Sequence, residues 1–377
     1  MSVRPRNILV VNPGSTSDEV AFFRGEEQVF HSIVRHNSSD LKPFDRQKIT
    51  AQFQFRKDLV MGVLKENNVA LDDLHAVIGR GGLLKPLPSG TYRVNERMVN
   101  DLRIGAMGDH SSNLGGLIAY EIAEVAKIPA YIADPVVVDE LEPLARYSGM
   151  PENPRRSIFH ALNQKRVARL AAAKLGRLYE ECRLIVMHGG GGISIGAHRE
   201  GRVVDVNNAL DGDGPFTPQR SGGVPSGGLA RMCFSGHYNL DDIKLKIKGR
   251  GGLVAYTGTS DVVAIKKYIA GEPVPEKSNL DAGKVSPEAA KECLLAMAYQ
   301  VAKEIGAMAA ALEGKVDAIV LTGGLAYDED YIVPAIRERV EWIAPVMTFP
   351  GGDEMRALRD AAARALADPG SVKAYQG

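Results

Sequence analysis

The feature that most constrains this chain is a strand, glycine turn and strand pattern that occurs twice. Residues 183–198, RLIVMHGGGGISIGAH, place an apolar strand before four consecutive glycines and an alternating strand after them. Residues 8–27, ILVVNPGSTSDEVAFFRGEE, repeat this design at an offset of 176 residues, which pairs Asn12 with His188 and Gly25 with Gly201. Each copy predicts a β-hairpin. The repetition predicts a chain built from two related halves.

The bare turn of the second copy predicts a close-approach site. Glycine loses more conformational freedom on folding than other residues, so four together indicate that something must come close to the backbone. Backbone N–H groups in such a turn bind anions, and phosphate is the commonest one. Gly189, Gly190, Gly191 and Gly192 are therefore candidate phosphate contacts. A loose surface hairpin is the alternative.

The turn of the first copy contains polar side chains, whereas the turn of the second copy contains only glycines. Asn12 ends its first strand, and Ser15, Thr16 and Ser17 supply hydroxyl groups beside Gly14. Hydroxyls and N–H groups suit phosphate oxygens, although serine and threonine are also ordinary turn residues.

A second pair of related segments follows the hairpins. AVIGRGGLL from Ala76 and AIVLTGGLA from Ala318 both run from a strand into paired glycines and leucine. Open α/β sheets place ligand-binding groups at the carboxyl ends of strands. Arg80 there could hold a carboxylate or phosphate with two hydrogen bonds, or it could be a solvated arginine. Gly323 and Gly324 form a turn suited to a nucleotide's sugar or base.

Two further candidates lie where strands and helices meet. Asp134 interrupts the predicted strand Pro129–Val138 just before a proline, which suits a cleft or a turn equally. His160 lies near the start of a helix predicted from about Phe159 to Lys174. A lone histidine of this kind is more often a packed or surface residue than a catalytic one.

Three candidates lie in or after glycine-rich segments. Arg220 precedes Ser221-Gly222-Gly223 and is a candidate anion contact, and Asp261 ends the segment GRGGLVAYTGTSD. Glu354 follows Asp353, the predicted N-cap of a terminal helix. Acids at this position ordinarily interact with the helix dipole, and metal binding is the alternative for Glu354.

Length and composition bound the organisation. A chain of 377 residues exceeds a usual single core and predicts two domains. Lys plus Arg (46) equals Asp plus Glu (46), so no global field indicates nucleic acid or an anionic membrane. No apolar run reaches transmembrane length, the N-terminus shows no signal-peptide core, and the three cysteines lack metal-site spacing. We expect a cytoplasmic protein with reduced thiols.

Together the motifs resemble the butyrate kinases of the acetate kinase group, from about Asn7 to about Ala367. The motifs are NPGSTS, GRGGLLKPLPSGTYRVN, GDHSSNLGGLIAYEIA, DPVVVDE, SIFHALNQ, VMHGGGGISIGAH, VVDVNNALDGDGPFTPQRSGG, GRGGLVAYTGTSD, LTGGLAY and PGGDE. The resemblance implies an α/β, duplicated actin-like (ribonuclease H-like) ATPase fold with two domains and a central cleft. It also implies reversible transfer of the ATP γ-phosphoryl group to a short aliphatic carboxylate, with Mg²⁺, by a homo-oligomeric enzyme.

Site roles are carried over with the resemblance. The catalytic group is Arg80, Asp134, His160 and Arg220. The nucleotide contacts are Asn12, Ser15, Ser17, His188, Gly189–Gly192, Asp261, Gly323 and Gly324, and Glu354 is the magnesium-site carboxylate. We expect residues 1–155 with 354–377 to form the first domain, carrying the first phosphate turn and the acyl substrate. Residues 156–353 would form the second, nucleotide-binding domain.

Two local features refine the expectation. The apolar run Val136–Val138 beside Asp134, with Ile158 and Phe159 beside His160, is expected to wall an alkyl pocket. Related enzymes read NPGSTSTK, whereas here Asp18 and Glu19 replace the threonine and lysine. We expect these acids to oppose phosphate binding unless each meets a local cation.

Two other classes of function remain open at this point. An actin-like fold can serve a nucleotide-gated binding or assembly protein, because fold alone does not fix function. A dinucleotide-binding or P-loop enzyme is poorly supported, since no stretch fits GxGxxG after a strand or GxxxxGK[ST].

Overall fold

The computed structural model describes residues 5–15, 17–45 and 47–377, and the chain divides into two compact units. Unit 1 comprises Met1–Val138 and Asp353–Gly377, and unit 2 comprises Asp139–Gly352. The terminal segment belongs to unit 1. The first boundary precedes the expected one at residue 155, because 139–155 bonds within unit 2: Glu142 N donates to Val204 O (2.9 Å), and Arg155 pairs with Asp205 (2.9 Å).

The strands in chain order are β1 (Asn7–Pro13), β2 (Ser17–Arg24), β3 (Glu27–Arg35), β4 (Ala76–Arg80), β5 (Thr91–Arg93), β6 (Ala130–Ala133), β7 (Arg183–Gly189), β8 (Ile193–Arg199), β9 (Arg202–Val206), β10 (Ala318–Gly323), β11 (Val346–Pro350) and β12 (Lys373–Ala374).

The α-helices are α1 (Ser38–Leu41), α2 (Phe53–Glu66), α3 (Glu96–Ile104), α4 (Asn113–Ala126), α5 (Ala161–Lys174), α6 (Ser226–Cys233), α7 (Leu240–Ile247), α8 (Leu253–Thr257), α9 (Val262–Ile269), α10 (Pro287–Ala311), α11 (Ile332–Val340) and α12 (Glu354–Ala367).

The two units share one sheet design. Among the described residues, unit 1 has the strand order β12-β5-β6-β4-β1-β2-β3, and unit 2 has β11-β10-β7-β8-β9. In each unit three antiparallel strands continue into two parallel ones, with β1 corresponding to β7 and β4 to β10. The predicted duplication is therefore confirmed at the level of topology.

The two hairpins do not align at one constant offset. In their second strands, the structurally equivalent residues lie one position away from those that the sequence offset pairs. Gly25 N donates to Arg6 O, and the equivalent bond in unit 2 runs from Glu200 N to Cys182 O. The structural equivalent of Gly25 is thus Glu200 rather than Gly201. The cause lies in the turns, because Asn12 pairs with Glu19 whereas His188 pairs with Ser194, which makes the glycine turn one residue shorter.

The core of unit 2 lies on both faces of its sheet. Ile185 and Met187 pack with the buried face of α10, whereas Leu184 and Val186 pack with α5. Side chains alternate between the two faces of a strand, so α5 and α10 cover opposite faces. The apolar residues that α10 and its C-cap contribute to this core are buried: Leu294, Met297, Val301, Ile305, Met308 and Leu312.

The strand predicted over Pro129–Val138 is shorter in the structure. It ends at Ala133, where Asp134 adopts a positive φ of 37° and Val138 N donates to Pro135 O in a turn. The apolar pattern alone does not reveal the end of the strand, because Val137 and Val138 after the proline are buried as well. Among the described residues no helix is both long and apolar enough to span a membrane.

Candidate active site

In unit 1, three predicted site residues converge at the carboxyl ends of neighbouring strands. β1 and β4 are parallel with Val11 beside Gly79, so Asn12 and Arg80 follow at the same edge of the sheet. Asn12 Nδ2 donates to Glu354 Oε2 (3.1 Å), and Arg80 forms an ion pair with Glu354. The arginine is partly buried rather than solvated, and Glu354 begins α12 beside it.

A buried arginine that the sequence did not indicate, Arg56, contacts the first phosphate turn. Ser15 is exposed, and Ser17 O accepts from Gly14 N (2.7 Å). Arg56 of α2 is fully buried and donates to Gly14 O (2.7 Å) and, more weakly, to Ser15 O (3.4 Å). Thr16 lies outside the described residues. The turn is therefore fixed through its carbonyl groups.

Asp18 and Glu19 each meet a local partner. Asp18 Oδ1 lies 2.5 Å from Arg56 Nη1, and its other oxygen lies 3.0 Å from His36 Nε2, with all three side chains buried. Burial raises the pKa of Asp18, while Arg56 and His36 oppose that rise. Glu19 lies 2.9 Å from His31 Nε2 at the surface. Asp18 thus neutralises the buried cation Arg56. Its position does not support the expected repulsion of phosphate.

Asp134 is tied to a neighbouring loop. Its Oδ1 accepts from Ser89 Oγ (2.6 Å) and from Gly90 N (2.8 Å), and its own N–H donates to Gly90 O (3.1 Å). The left-handed φ of 37° stores backbone strain that these bonds offset. The carboxylate is thereby placed as a hydrogen-bond acceptor of fixed orientation.

In unit 2, two histidines stack beside the glycine turn. His160 is the N-cap residue of α5, and His188 lies near the end of β7; their ring centroids are 4.0 Å apart with an angle of 14° between the planes. His160 Nδ1 contacts Ser194 Oγ (2.8 Å), and His188 Nδ1 contacts Asn163 Oδ1 (2.8 Å). The helix start and the strand end therefore bring both imidazoles together.

The glycine turn is tightly held, so the loose-hairpin alternative is wrong. Gly190 N donates to Gly192 O (2.9 Å), while Gly191 O accepts from Thr217 Oγ1 (2.7 Å) and Gln219 N (3.2 Å). Within the described part of the chain, the N–H groups of Gly191 and Gly192 donate to no hydrogen bond. These two donors fit an anion such as a phosphate group.

Arg220 packs directly against this turn. A Cβ atom added to Gly192 would lie 1.8 Å from Arg220 Nη1, so only glycine leaves room for the guanidinium. Arg220 also bonds to Ala209 O and donates its N–H to Thr217 Oγ1 (3.0 Å). Burial lowers the pKa of Arg220, an effect opposed by Asp211, but an arginine remains cationic at neutral pH.

The remaining nucleotide candidates lie after β10 and at the start of α9. Gly323 has φ of 84°, and a Cβ there would lie 2.2 Å from Gly189 O, which explains the need for glycine beside the turn. Gly324 is exposed. Asp261 caps α9, accepting from Val263 N (2.9 Å) and Ala264 N (3.2 Å), and therefore has a structural role.

The apolar residues expected to line an alkyl pocket are only partly accessible. Val137, Val138 and Phe159 are at most 5% exposed and pack into the interior. Val136 and Ile158 keep partial exposure and are the remaining candidates for contact with an alkyl chain.

Sequence reasoning missed four polar residues around the candidates: Arg56, Asn163, Gln164 and Ser194. All are at most 1% exposed. Asn163 and Gln164 follow His160 at helical spacing in HALNQ, which was a usable signal for one helix face. Nothing local distinguished Arg56, because a basic residue in an amphipathic helix is normally solvated.

Among the described residues, no group of three or more His, Cys, Asp or Glu side chains is arranged to hold a metal. Magnesium commonly binds proteins through one or two carboxylates together with substrate phosphates. The single carboxylate of Glu354, in contact with Arg80 and Asn12, fits that mode.

Comparisons with known proteins show the family to which the chain is similar. Residues 151–344 match the family model described as "Acetokinase family". The chain is 52% identical to "Probable butyrate kinase" of Elusimicrobium minutum, covering 98% of this chain and 99% of the relative. It is 49% identical to "Butyrate kinase 2" of Clostridium acetobutylicum, with the same coverage.

Solved structures show the fold. The acetate kinase of Porphyromonas gingivalis superposes with a TM-score of 0.75 at 18% identity, covering 96% of this chain and all (100%) of that one. The acetate kinase of Entamoeba histolytica gives 0.71 at 17% identity, covering 95% and 99%. The predicted duplicated actin-like α/β fold is confirmed.

Proposed function

We propose that this chain, which belongs to the acetokinase family and is an ATP-dependent carboxylate kinase, transfers the γ-phosphoryl group of ATP reversibly to butanoate. The relatives named butyrate kinases, similar over nearly the full length, support the choice of acid. The observation on this molecule that carries the proposal is the glycine turn, with two available N–H donors, a packed arginine and two stacked imidazoles. The assembly-protein alternative is not favoured.

The proposed mechanism relies on charge stabilisation. In-line phosphoryl transfer needs donors and positive charge around three equatorial oxygens, with little covalent help from the protein. We assign this role to Arg220, His160 and Arg80. The N–H groups of Gly191 and Gly192 bind phosphate oxygens, as does the first turn through Asn12, Ser15 and Ser17, and His188 supports the second turn.

The acceptor acid needs no general base. A short fatty acid resembles a glutamate side chain, whose pKa is about 4.3, so it arrives ionised at neutral pH. Asp134 therefore acts by orienting neighbouring groups, in keeping with its bonds to Ser89 and Gly90. Gly323 and Gly324 are proposed to approach the adenosine, and a nucleotide contact of Asp261 stays a prediction.

Magnesium is proposed to bind with ATP through Glu354. When bound, the ion would neutralise phosphate charge and shield the transferring group. Since Glu354 pairs with Arg80 in this structure, that carboxylate would be shared between the arginine and the ion.

Two properties of the whole protein belong to the same proposal. Self-association is supported by exposed apolar side chains on and beside α6 and α7, where Phe234 is 91% and Leu240 68% exposed. Sedimentation of the protein and of Phe234→Ser tests it. A cytoplasmic location is supported by three free thiols, Cys182, Cys233 and Cys293.

The function is tested by trapping the acyl phosphate as a hydroxamate with ATP, Mg²⁺ and each straight-chain acid from C2 to C6. We expect product with butanoate in a 1:1 ratio to ADP. Binding of ATP without product from any of these acids would support the alternative function, a nucleotide-gated binding or assembly protein.

The site assignment is tested by Arg220→Ala and His160→Ala. We expect each to lower kcat by about 10² or more, because each loses a donor that matters most during transfer, with a smaller change in KM for ATP. Near wild-type kcat in a folded variant would show that the substituted residue is structural rather than catalytic.

A further inference from the structure

A chain of buried polar side chains leads away from His160. His160 Nδ1 lies 2.8 Å from Ser194 Oγ, which lies 2.8 Å from Gln164 Nε2. Gln164 Oε1 lies 3.0 Å from His198 Nε2, and His198 Nδ1 lies 2.7 Å from Tyr179 OH. Ser194, Gln164 and His198 are fully buried, and the proposed mechanism assigns them no role.

The amide orientation of Gln164 is fixed by a carbonyl group. One end of the amide lies 3.0 Å from Ser194 O, which can only accept a hydrogen bond. That end must therefore be the NH₂ group, because a flipped amide would bring two oxygens together. The oxygen of Gln164 then faces His198.

The state of His198 follows from that orientation. An amide oxygen only accepts, so His198 Nε2 must carry a proton and donate it. Burial lowers the pKa of His198 well below its ordinary value, and Lys165 and Arg169 lower it further, so the ring is neutral. Its Nδ1 then accepts from Tyr179 OH, and every polar atom of the ring is satisfied.

The hydroxyl group of Ser194 connects the fixed amide of Gln164 to the ring of His160. A hydroxyl accepts two hydrogen bonds and donates one. Ser194 Oγ accepts from Gln164 Nε2 and, at 3.4 Å, from the His160 backbone N–H. Its own proton therefore points to His160 Nδ1, which must be an acceptor. The ring proton of His160 is left on Nε2.

We propose that Ser194 and Gln164, backed by His198, are positioning residues that hold His160 as a neutral imidazole with its proton on Nε2. The role of the network rests on the proposed catalytic role of His160. In that role Nε2 supplies a directed hydrogen bond to a phosphoryl oxygen, and the positive charge comes from the arginines. A histidine without such a network would exchange between tautomers.

The test is ¹⁵N NMR of the histidine rings in the full-length protein at pH 8, with His160→Gln identifying the signals of His160. We expect one tautomer with the proton on Nε2. In Ser194→Ala we expect a mixture of tautomers and a roughly three- to tenfold lower kcat with little change in KM for ATP. A wild-type His160 that carries its proton on Nδ1, or is doubly protonated, overturns the proposal, as does an unchanged His160 spectrum in Ser194→Ala.

Two further measurements separate the possible failures. Tyr179→Phe is the matched control, since burial keeps His198 neutral and its Nε2–H still faces Gln164; a changed His160 tautomer there would contradict the assigned polarity. The wild-type spectrum remains decisive even where Ser194→Ala fails to fold. A normal kcat in His160→Gln would overturn the proposed catalytic role and leave the tautomer result intact.

Discussion

At the scale of single residues, two glycines of the site are needed for different reasons. A Cβ on Gly192 would collide with the end of the Arg220 side chain, which can adopt other rotamers, whereas a Cβ on Gly323 would collide with the backbone of Gly189. The first obstacle can move and the second cannot. Gly323 also has a positive φ that favours glycine.

We therefore predict opposite outcomes for the two alanine variants. Gly192→Ala should keep wild-type stability within about 0.5 kcal/mol but lower kcat tenfold or more, because Arg220 is displaced. Gly323→Ala should lose about 2 kcal/mol or more of unfolding free energy. Denaturant unfolding and steady-state kinetics of both variants provide the measurement. Full activity in Gly192→Ala would show that the position of Arg220 is not critical.

A second prediction at this scale concerns Glu304 on α10. Burial raises its pKa to about 7, with Asp213 and Asp205 adding repulsion and Arg155 opposing it. Because the folded pKa exceeds the unfolded value of 4.5, the contribution is favourable at low pH and is lost as pH rises through 7. Glu304→Gln should be more stable than wild type at pH 8, by up to roughly 3 kcal/mol, and similar at pH 4.5.

Thermal or denaturant unfolding across pH 4.5 to 8.5 measures this effect. The control is Glu338→Gln, whose side chain is 81% exposed and should leave the pH profile unchanged. Equal pH profiles for Glu304→Gln and wild type would contradict the proposed burial of that charge.

At the scale of elements, helix α2 supports the first phosphate turn through Arg56 and Asp18. Removing one partner of a buried ion pair leaves the other uncompensated. We expect Asp18→Asn to lower the free energy of unfolding by about 2–3 kcal/mol, since Arg56 would keep only its bonds to Gln52 and the turn. Glu19→Lys, at the surface, should change it little.

The same contacts change what is expected of the double variant Asp18→Thr with Glu19→Lys. Repulsion of phosphate by these acids would predict a gain of about tenfold in kcat/KM for ATP, whereas the buried Arg56 pair predicts a less stable protein without that gain. Unfolding by urea, followed by kinetics on the folded fraction, distinguishes the two. An Asp18→Asn protein as stable as the wild type would contradict the stabilising role of the buried Arg56–Asp18 pair.

The elements themselves were largely predictable from sequence. The spacing of apolar residues and the capping residues located α5 and α12, and Asp353 caps α12 as predicted. The interruption at Asp134-Pro135 was visible in the sequence, but the end of β6 at that point was not, because the buried Val137 and Val138 continue the apolar pattern. Arg56 and Ser194 were missed because buried polar side chains satisfy each other over long sequence separations, which leaves no local pattern. Gln164 could have been found, since it follows His160 at helical spacing.

At the scale of the whole molecule, the duplicated sheet explains why predicted site residues gather in two groups. Strand ends in unit 1 bring Asn12 and Arg80 to one edge, and those in unit 2 bring His188 and Gly323 to the equivalent edge. The repeat predicted this from sequence, since the turns follow corresponding strands. The preferred acid is a finer property that the fold alone does not determine.

The most direct measurement is the ratio of kcat/KM for butanoate to that for acetate, with saturating ATP and Mg²⁺ and hydroxamate detection. Burying a methylene contributes about 0.8 kcal/mol, so two more carbons predict a ratio of roughly ten to twenty. Val136→Ala should lower that ratio if this half-buried residue contacts the alkyl chain. A wild-type protein that uses acetate as well as butanoate, or better, would contradict the account of a butanoate-preferring kinase.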